Sequence, residues 1–211
     1  MTGNIGVGKS TLCKRLAETL TDGQFVGEEL ENPHLADFYD HLSKFPNSPN
    51  PHALDLQLYF LNQRYENESR ADFVDNLMVL DRCLLEYNEI FVCNLARAGY
   101  LSPIDFEKYS SHYQVLSSKL AKPHVVIFLK ANIDTALERI RSRDRDYEKT
   151  NIDTDYLKGL HNNYIKFLQT IQNHHSDVHL IEVETDELND DQVFMAVLEK
   201  YQLYLDMLEN M

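Results

Sequence analysis

The chain has 211 residues, 43% hydrophobic and 26% charged, which suffices for one domain with a sizeable core and falls short of two. Its 20 basic and 34 acidic residues give a net charge of −14, which excludes a nucleic-acid polymer as the main partner but not a small anion in a local basic pocket. No stretch has the roughly 20 apolar residues of a membrane span or the start of a signal peptide, and Cys13, Cys83 and Cys93 show no paired spacing, as expected in a reducing cytoplasm.

Gly3, Gly6 and Gly8 fall within six residues of a chain with seven glycines in all, marking a tight loop. Residues 9–20 follow as a helix, with Leu12, Leu16 and Leu20 on one face. Residues 24–26 read as a short strand ending at Gly27, Glu28 and Glu29. Helices are expected at 31–42 and 53–68. Pro46, Pro49 and Pro51 part them as a helix break, not a domain linker, since composition is the same on both sides. The apolar run 77–80 suits a buried strand and ends in Asp81-Arg82; residues 86–98 read as a helix. Ser102 before Pro103 is a helix start, a cap followed by proline in the first position, and opens a helix to about residue 120. Residues 124–129 form the clearest buried strand. Helices at 134–143 and 153–174, a strand at 178–183 and a helix at 190–208 complete the order. Strands that alternate with helices and are apolar on both faces predict an α/β fold, a parallel sheet with helices on both sides.

Gly3-Asn4-Ile5-Gly6-Val7-Gly8-Lys9-Ser10 fits the G-x4-G-K-[ST] phosphate-binding loop, with Thr11 next. Glycines let successive N–H groups turn inward around phosphate oxygens at a positive helix N-terminus. The lysine reaches the β and γ phosphates, and the serine hydroxyl ligates Mg²⁺. A glycine-rich turn can match by chance, but here an amphipathic helix follows. The guanine-reading NKxD tetrapeptide is absent and no DxxG follows a strand, which points to a small-molecule kinase.

Arg139, Arg141, Arg143 and Arg145 fall within seven residues. A solvated helix face would space them at three and four. The alternate spacing predicts that the chain leaves the helix near 141–143 as an arginine-bearing lid, about 139–150, over a triphosphate. Glu28 and Asp81-Arg82 lie just past strand ends, where ligands bind in open α/β sheets. A carboxylate there can take a proton from an attacking hydroxyl or hold Mg²⁺ through water. Gln57 and Arg64 are seven apart and share a helix face; Tyr87 and Phe91 share another. Such groups suit bracketing a flat heterocycle, although core packing is the commoner fate of an aromatic pair.

Taken together these pieces resemble the deoxyribonucleoside kinase family, and within it the bacterial deoxyadenosine/deoxyguanosine kinase branch. The resemblance rests on residues 3–11 (GNIGVGKST), 28–33 (EELENP), 57–64 (QLYFLNQR), 81–83 (DRC) and the arginine run to Glu148, in family order. It implies the three-layer P-loop kinase fold in a single domain, 1–211. The implied activity is ATP- and Mg²⁺-dependent phosphorylation of the 5′-hydroxyl of a deoxyribonucleoside, deoxyadenosine or deoxyguanosine, in nucleotide salvage. A cytoplasmic homodimer is implied too. Residue by residue, the loop from Gly3 to Thr11 would hold ATP, with Lys9 catalytic. Glu28 would be the general base, with Arg82 orienting the hydroxyl beside it. Ser10 and Asp81 would serve the Mg²⁺ shell. Tyr39 and Glu148 would hold the 3′-hydroxyl. Gln57 would pair with the base edge, Arg64 would help read the base, and Phe91 would stack on it. Arg141, Arg143 and Arg145 would contact phosphates.

Three positions depart from the family pattern. Cys83 stands where serine or threonine is usual, small enough for activity to survive. Tyr87, preceded by Glu86, stands where an aspartate often joins the arginine in base recognition, which bears on base preference. The first strand, about five apolar residues before the phosphate loop, has no counterpart, so the sheet is expected to lack its central strand, with the missing stretch encoded in frame upstream. Two other readings accommodate a phosphate loop. A nucleoside monophosphate kinase such as thymidylate kinase would need basic residues for the substrate's own phosphate, where Glu28, Tyr39 and Glu148 suit hydroxyls. A catalytically silent nucleotide-binding subunit is suggested only by the missing strand. His174, His175 and His179 lack a completing ligand pattern and read as a solvated helix end.

Overall fold

The strand predicted at 124–129 sets the plan of the fold, because both of its faces are apolar and both are covered. The computed structural model describes residues 1–27, 32–46, 48–70, 77–142, 152, 154–174 and 177–210. In chain order the elements are β1 (Thr2–Gly3), α1 (Lys9–Thr19), β2 (Gln24–Val26), α2 (Leu35–Lys44), α3 (Ala53–Ser69), β3 (Met78–Leu80), α4 (Leu84–Glu86), a π-helical stretch (Tyr87–Val92), α5 (Cys93–Arg97), α6 (Pro103–Ser117), β4 (Val125–Lys130), α7 (Ile133–Ser142), α8 (Thr154–His174), β5 (His179–Glu184) and α9 (Asp190–Glu209). Val126 and Phe128 of β4 enter one core with Leu61 of α3, Leu95 of α5 and Leu160 of α8. Leu129 enters a second core with Leu12 and Leu16 of α1 and Val193, Phe194 and Val197 of α9, with Val125 and Ile127 packed against it. The two-residue period of a strand thus divides its side chains between two helical layers.

β4 pairs in parallel with β5, from Val125 opposite His179 to Lys130 opposite Glu184. It also pairs in parallel with β1, Thr2 opposite Phe128 and Gly3 opposite Leu129. β2 pairs in parallel with β3. Met1 joins the two ribbons: its amino group donates to Leu80 O at 2.8 Å and its carbonyl accepts from Arg82 N at 2.9 Å. The strands therefore lie in the order β2, β3, β1, β4, β5. The expectation of a sheet without its central strand is corrected in part: Thr2 and Gly3 stand in that place, opposite Phe128 and Leu129 of the six residues of β4, and two residues are too few to carry a periodic pattern.

The remaining elements follow the predicted order closely. Ser102 caps α6, its Oγ accepting from Asp105 N at 3.2 Å, with Pro103 in the first turn. The helix expected at 86–98 begins earlier, at Leu84, and its middle is π-helical. Asn163 Nδ2 on α8 donates to Ile90 O at 2.8 Å, so a carbonyl within the wide turn is satisfied from outside. Among the described residues no helix is long and apolar enough to cross a membrane.

The loop between β1 and α1 lies directly on α7. A Cβ at Gly6, where φ is +86°, would stand 2.5 Å from Ala136 O and 3.1 Å from Ile140 Cγ1. Gly6→Ala is therefore expected to destabilise the fold by at least about 1 kcal/mol and to weaken binding of a nucleoside triphosphate. Thermal melts with and without nucleotide measure both effects.

Candidate active site

α1 starts at Lys9 because Gly8, at φ +90°, turns the chain into the helix in a left-handed conformation that side chains disfavour. Lys9 is buried, and its Nζ donates to Asn4 O at 2.7 Å across the loop. Asn4 ties the back of the loop down: Oδ1 accepts from Ile5 N at 2.9 Å and Nδ2 donates to Leu157 O of α8 at 3.2 Å. Ser10 Oγ donates to Asp81 Oδ2 at 2.5 Å. Asp81 is 1% exposed, and its Oδ1 is buried with no hydrogen-bond partner among the described residues. A hydroxyl beside a carboxylate with one unsatisfied oxygen, at the phosphate loop, offers the hard oxygen donors that Mg²⁺ takes, and the pair fits that ion.

After Asp81 the chain turns a corner. Arg82 has φ +71°, a conformation that costs a non-glycine residue on the order of 1–3 kcal/mol and persists only where the surroundings over-determine it. Its Nη1 donates to Gly3 O at 3.3 Å, to Tyr164 OH at 2.5 Å and to Glu86 Oε1, to which Tyr164 OH also donates. Burial, before any charge effect, holds the Tyr164 hydroxyl well above its ordinary pKa, so it stays a donor. From α3, Arg64 Nη1 donates to Asp81 O at 2.7 Å and to Arg82 O at 3.4 Å. Glu68 Oε1, one turn on, accepts from Leu84 N at 2.6 Å. Cys83, inside the corner, is buried, and its thiol is pushed up to about 12 by desolvation. Cys13, under the loop on α1, is pushed to about 12 for the same reason.

A cavity of about 490 Å³ opens above the phosphate loop and is floored by Ile5, Gly6, Val7, Gly8, Lys9, Ser10 and Thr11. On the side of α2, α3 and the π-helical stretch it is walled by Tyr39, Gln57, Phe60, Arg82, Tyr87 and Phe91; on the side of α1, α7 and the β5–α9 connection, by Arg15, Arg139, Ser142, Thr185 and Asp190. The first wall suits a flat ring. Phe60, Tyr87 and Phe91 stand in a row, with centroids 5.6 and 5.4 Å apart, and the Arg82 guanidinium lies 4.7 Å from the Phe91 centroid. Gln57 is buried, and its Oε1 has no hydrogen-bond partner among the described residues. A buried acceptor without a donor, beside aromatic rings, leaves the donor for a ligand to supply. On the second wall, Arg139 is held by Thr185 Oγ1 at 3.1 Å and Thr185 O at 2.8 Å.

The deoxynucleoside kinase profile matches residues 1–205. The chain belongs to the deoxynucleoside kinase family. It is 33% identical to a deoxyadenosine kinase of Dictyostelium discoideum over 171 residues, 81% of this chain and 66% of that one. It is 30% identical to a deoxyguanosine kinase of Bacillus subtilis (strain 168) over 185 residues, 87% of this chain and 84% of that one. The solved structure of a deoxyadenosine kinase from M. mycoides with bound dATP superposes with a TM-score of 0.77 at 25% identity, covering 95% of this chain and 96% of that one. The superposition gives the present chain the fold of that solved kinase, and in this chain it is the parallel sheet between helical layers that the sequence predicts.

Within this deoxynucleoside kinase, the loop from Ile5 to Thr11, Tyr39, Gln57, Arg82, Tyr87 and Phe91 meet at one cavity. Gly3 and Asn4 stand behind the loop, and Asp81 stands beneath Ser10. Arg64 faces the main chain of the 81–84 corner and is not among the lining residues. Arg141 is exposed on the last turn of α7 and is not itself among the lining residues, although Arg139 and Ser142 of the same turn are. Glu28, Arg143, Arg145 and Glu148 lie outside the described residues. Tyr87 and Phe91 do both things weighed for them, packing on each other and walling the cavity. Sequence reasoning passed over Phe60, three residues after Gln57 on the same helix face, and Arg15, a cation on α1 two turns past the phosphate loop. It gave no role to Glu68, four residues after Arg64.

Glu68 has a pH consequence of its own. Desolvation, ahead of the opposing pull of Arg64 and the Leu84 N–H, raises its carboxyl from 4.5 to about 7. The Met1 amino group and Glu86 also act on it, and it acts on Cys83 and Tyr113. A carboxyl that binds its proton more tightly folded than unfolded favours folding most below pH 4.5. That contribution is lost as pH rises towards 7. Glu68→Gln should remove this slope, so that denaturant melts at a series of pH values show the parent losing stability relative to the variant across that window.

Proposed function

We propose that the chain phosphorylates the 5′-hydroxyl of a deoxyribonucleoside with ATP, deoxyadenosine and deoxyguanosine foremost, in nucleotide salvage. The observation that carries this reading is the single cavity in which a phosphate loop faces an aromatic and amide wall, with Arg82 between them. The names of the similar kinases support the purine preference. The whole chain, 1–211, acts as one kinase domain whose lid is the arginine-rich segment at about 139–150. Homodimerisation and a cytoplasmic setting complete the proposal.

In-line transfer asks the protein for positioning and charge compensation more than covalent chemistry. The inward N–H groups of residues 5–11 cradle the β and γ phosphates, and Lys9, held across the loop by Asn4 O, exchanges that carbonyl for phosphate oxygens. Ser10 and Asp81 would hold Mg²⁺, which when bound offsets charge on the phosphate oxygens. Arg139, fixed on Thr185, bounds the donor side, and Arg141, Arg143 and Arg145 meet the phosphoryl group as charge builds on it. On the acceptor side Gln57 takes a hydrogen bond from the base edge, and Phe91 and Tyr87 flank the ring. Tyr39 and Glu148 hold the 3′-hydroxyl. Glu28 takes the 5′-hydroxyl proton while Arg82, immobilised by Gly3 O, Glu86 and Tyr164, orients the oxygen. Among the described residues of the acceptor wall Arg82 is the sole cation, and it is already paired with Glu86, which suits a neutral nucleoside better than a nucleoside monophosphate.

A panel of four deoxynucleosides and their monophosphates, assayed with ATP, tests the assignment; phosphorylation of the monophosphates alone would overturn it. Glu28→Gln is expected to lower turnover by about 10²–10⁴-fold with nucleoside affinity little changed. Arg143→Ala is expected to lower kcat more than it raises the nucleoside KM, because the charge it meets is greatest during transfer. Steady-state kinetics read both.

A further inference from the structure

Arg64 shares a helix face with Gln57, which suggested a part in reading the base. Its guanidinium is engaged elsewhere. Arg64 is 3% exposed, is not among the residues lining the cavity, and gives Nη1 to the carbonyls of Asp81 and Arg82. Further contacts run to Tyr87, whose hydroxyl is 3.5 Å from Nη2 and whose ring centroid is 5.3 Å from Cζ. Four residues along α3, Glu68 takes the Leu84 N–H. A cation on two carbonyls and a carboxylate on one N–H, a single turn apart on a 17-residue helix, thus grip the chain before and after Cys83. The gripped segment contains Arg82 at φ +71°. It also sets Asp81 against Ser10 and Arg82 into the cavity wall.

We infer that Arg64 and Glu68 form a backbone clamp on residues 81–84, so that Arg64 is a positioning residue for Asp81 and Arg82 and not a reader of the base. The inference rests on the kinase reading above, because phosphoryl transfer is what the corner serves. A clamp acts on the protein before any base arrives. Its loss therefore lowers turnover of every nucleoside by a similar factor, whereas loss of a base reader changes the order of preference.

The test uses the full chain with deoxyadenosine, deoxyguanosine and deoxycytidine, ATP as donor, and the variants Arg64→Lys, Glu68→Ala and Glu68→Gln. Lysine keeps the charge but is one bond shorter and lacks the second nitrogen that meets the Tyr87 hydroxyl; Arg64→Lys should lower kcat by about 10- to 100-fold for each nucleoside. KM and the ratios of kcat/KM among the bases should stay within about threefold of the parent. Glu68→Ala should lower kcat in the same uniform way, and Glu68→Gln, whose amide oxygen still accepts from Leu84 N–H, should restore most of it. A shift in base ratios of about tenfold or more with kcat retained makes Arg64 a base reader and overturns the clamp. Parental kinetics in Glu68→Ala overturn it as well. If Arg64→Lys does not fold, the two Glu68 variants carry the test. Amide hydrogen exchange at Leu84, measured without substrate, separates this inference from the kinase reading. The clamp requires faster exchange in Glu68→Ala even if the parent phosphorylates no nucleoside. Unchanged exchange sinks the clamp and leaves the kinase reading standing.

Discussion

The site depends on the main-chain hydrogen bonds that hold Met1, Thr2 and Gly3 between β3 and β4. Buried N–H and C=O groups on two neighbouring strands would otherwise face each other unpaired, at about 1–3 kcal/mol each. Thr2 and Gly3 pair with Phe128 and Leu129 of β4, and Met1 satisfies Leu80 O and Arg82 N. The phosphate loop leaves the sheet directly from this wedge. Its distance from Asp81 is thereby fixed within three residues, and the short contact between Ser10 and Asp81 follows.

Four ionisable side chains, Arg64, Glu68, Arg82 and Glu86, are buried around the corner that follows β3. Removing such charges from water offsets most of what their attraction returns, so the group is a weak source of stability. Its value is geometric. Three of the four hold something that must not move: Arg64 two carbonyls, Glu68 an amide, and Glu86 the guanidinium of the fourth, Arg82, which walls the cavity. Tyr164 brings α8 into the same set, so α3, α8 and the sheet converge on Arg82.

What the sequence made legible was whatever local chemistry dictates. The phosphate loop, the Ser102-Pro103 start and the apolar strand around Phe128 announce themselves through residue type and spacing, and β2 lies where its apolar residues put it. The site was legible where a family pattern supplied distance relations, as for Gln57, Arg82 and Phe91. The rest is tertiary. Glu68 is one acid among many until α3 is laid against Leu84, and Arg64 looks like a polar group facing a ligand until the carbonyls behind it are seen. The π-helical turn over Tyr87–Val92 was invisible because its support, Asn163, lies 73 residues away from Ile90.

The burial of Cys83 has a consequence for redox chemistry. A thiol one peptide bond from Arg82, and another beneath the phosphate loop at Cys13, are held as neutral S–H groups far above physiological pH. The thiolate is the form that attacks electrophiles and is oxidised by peroxides. Cys83 thus places a small side chain at the corner without placing a nucleophile there. Of the three cysteines, the half-buried Cys93 on α5 is the most open to solvent. Oxidants and alkylating reagents would meet the protein there first, at the residue that follows the π-helical turn.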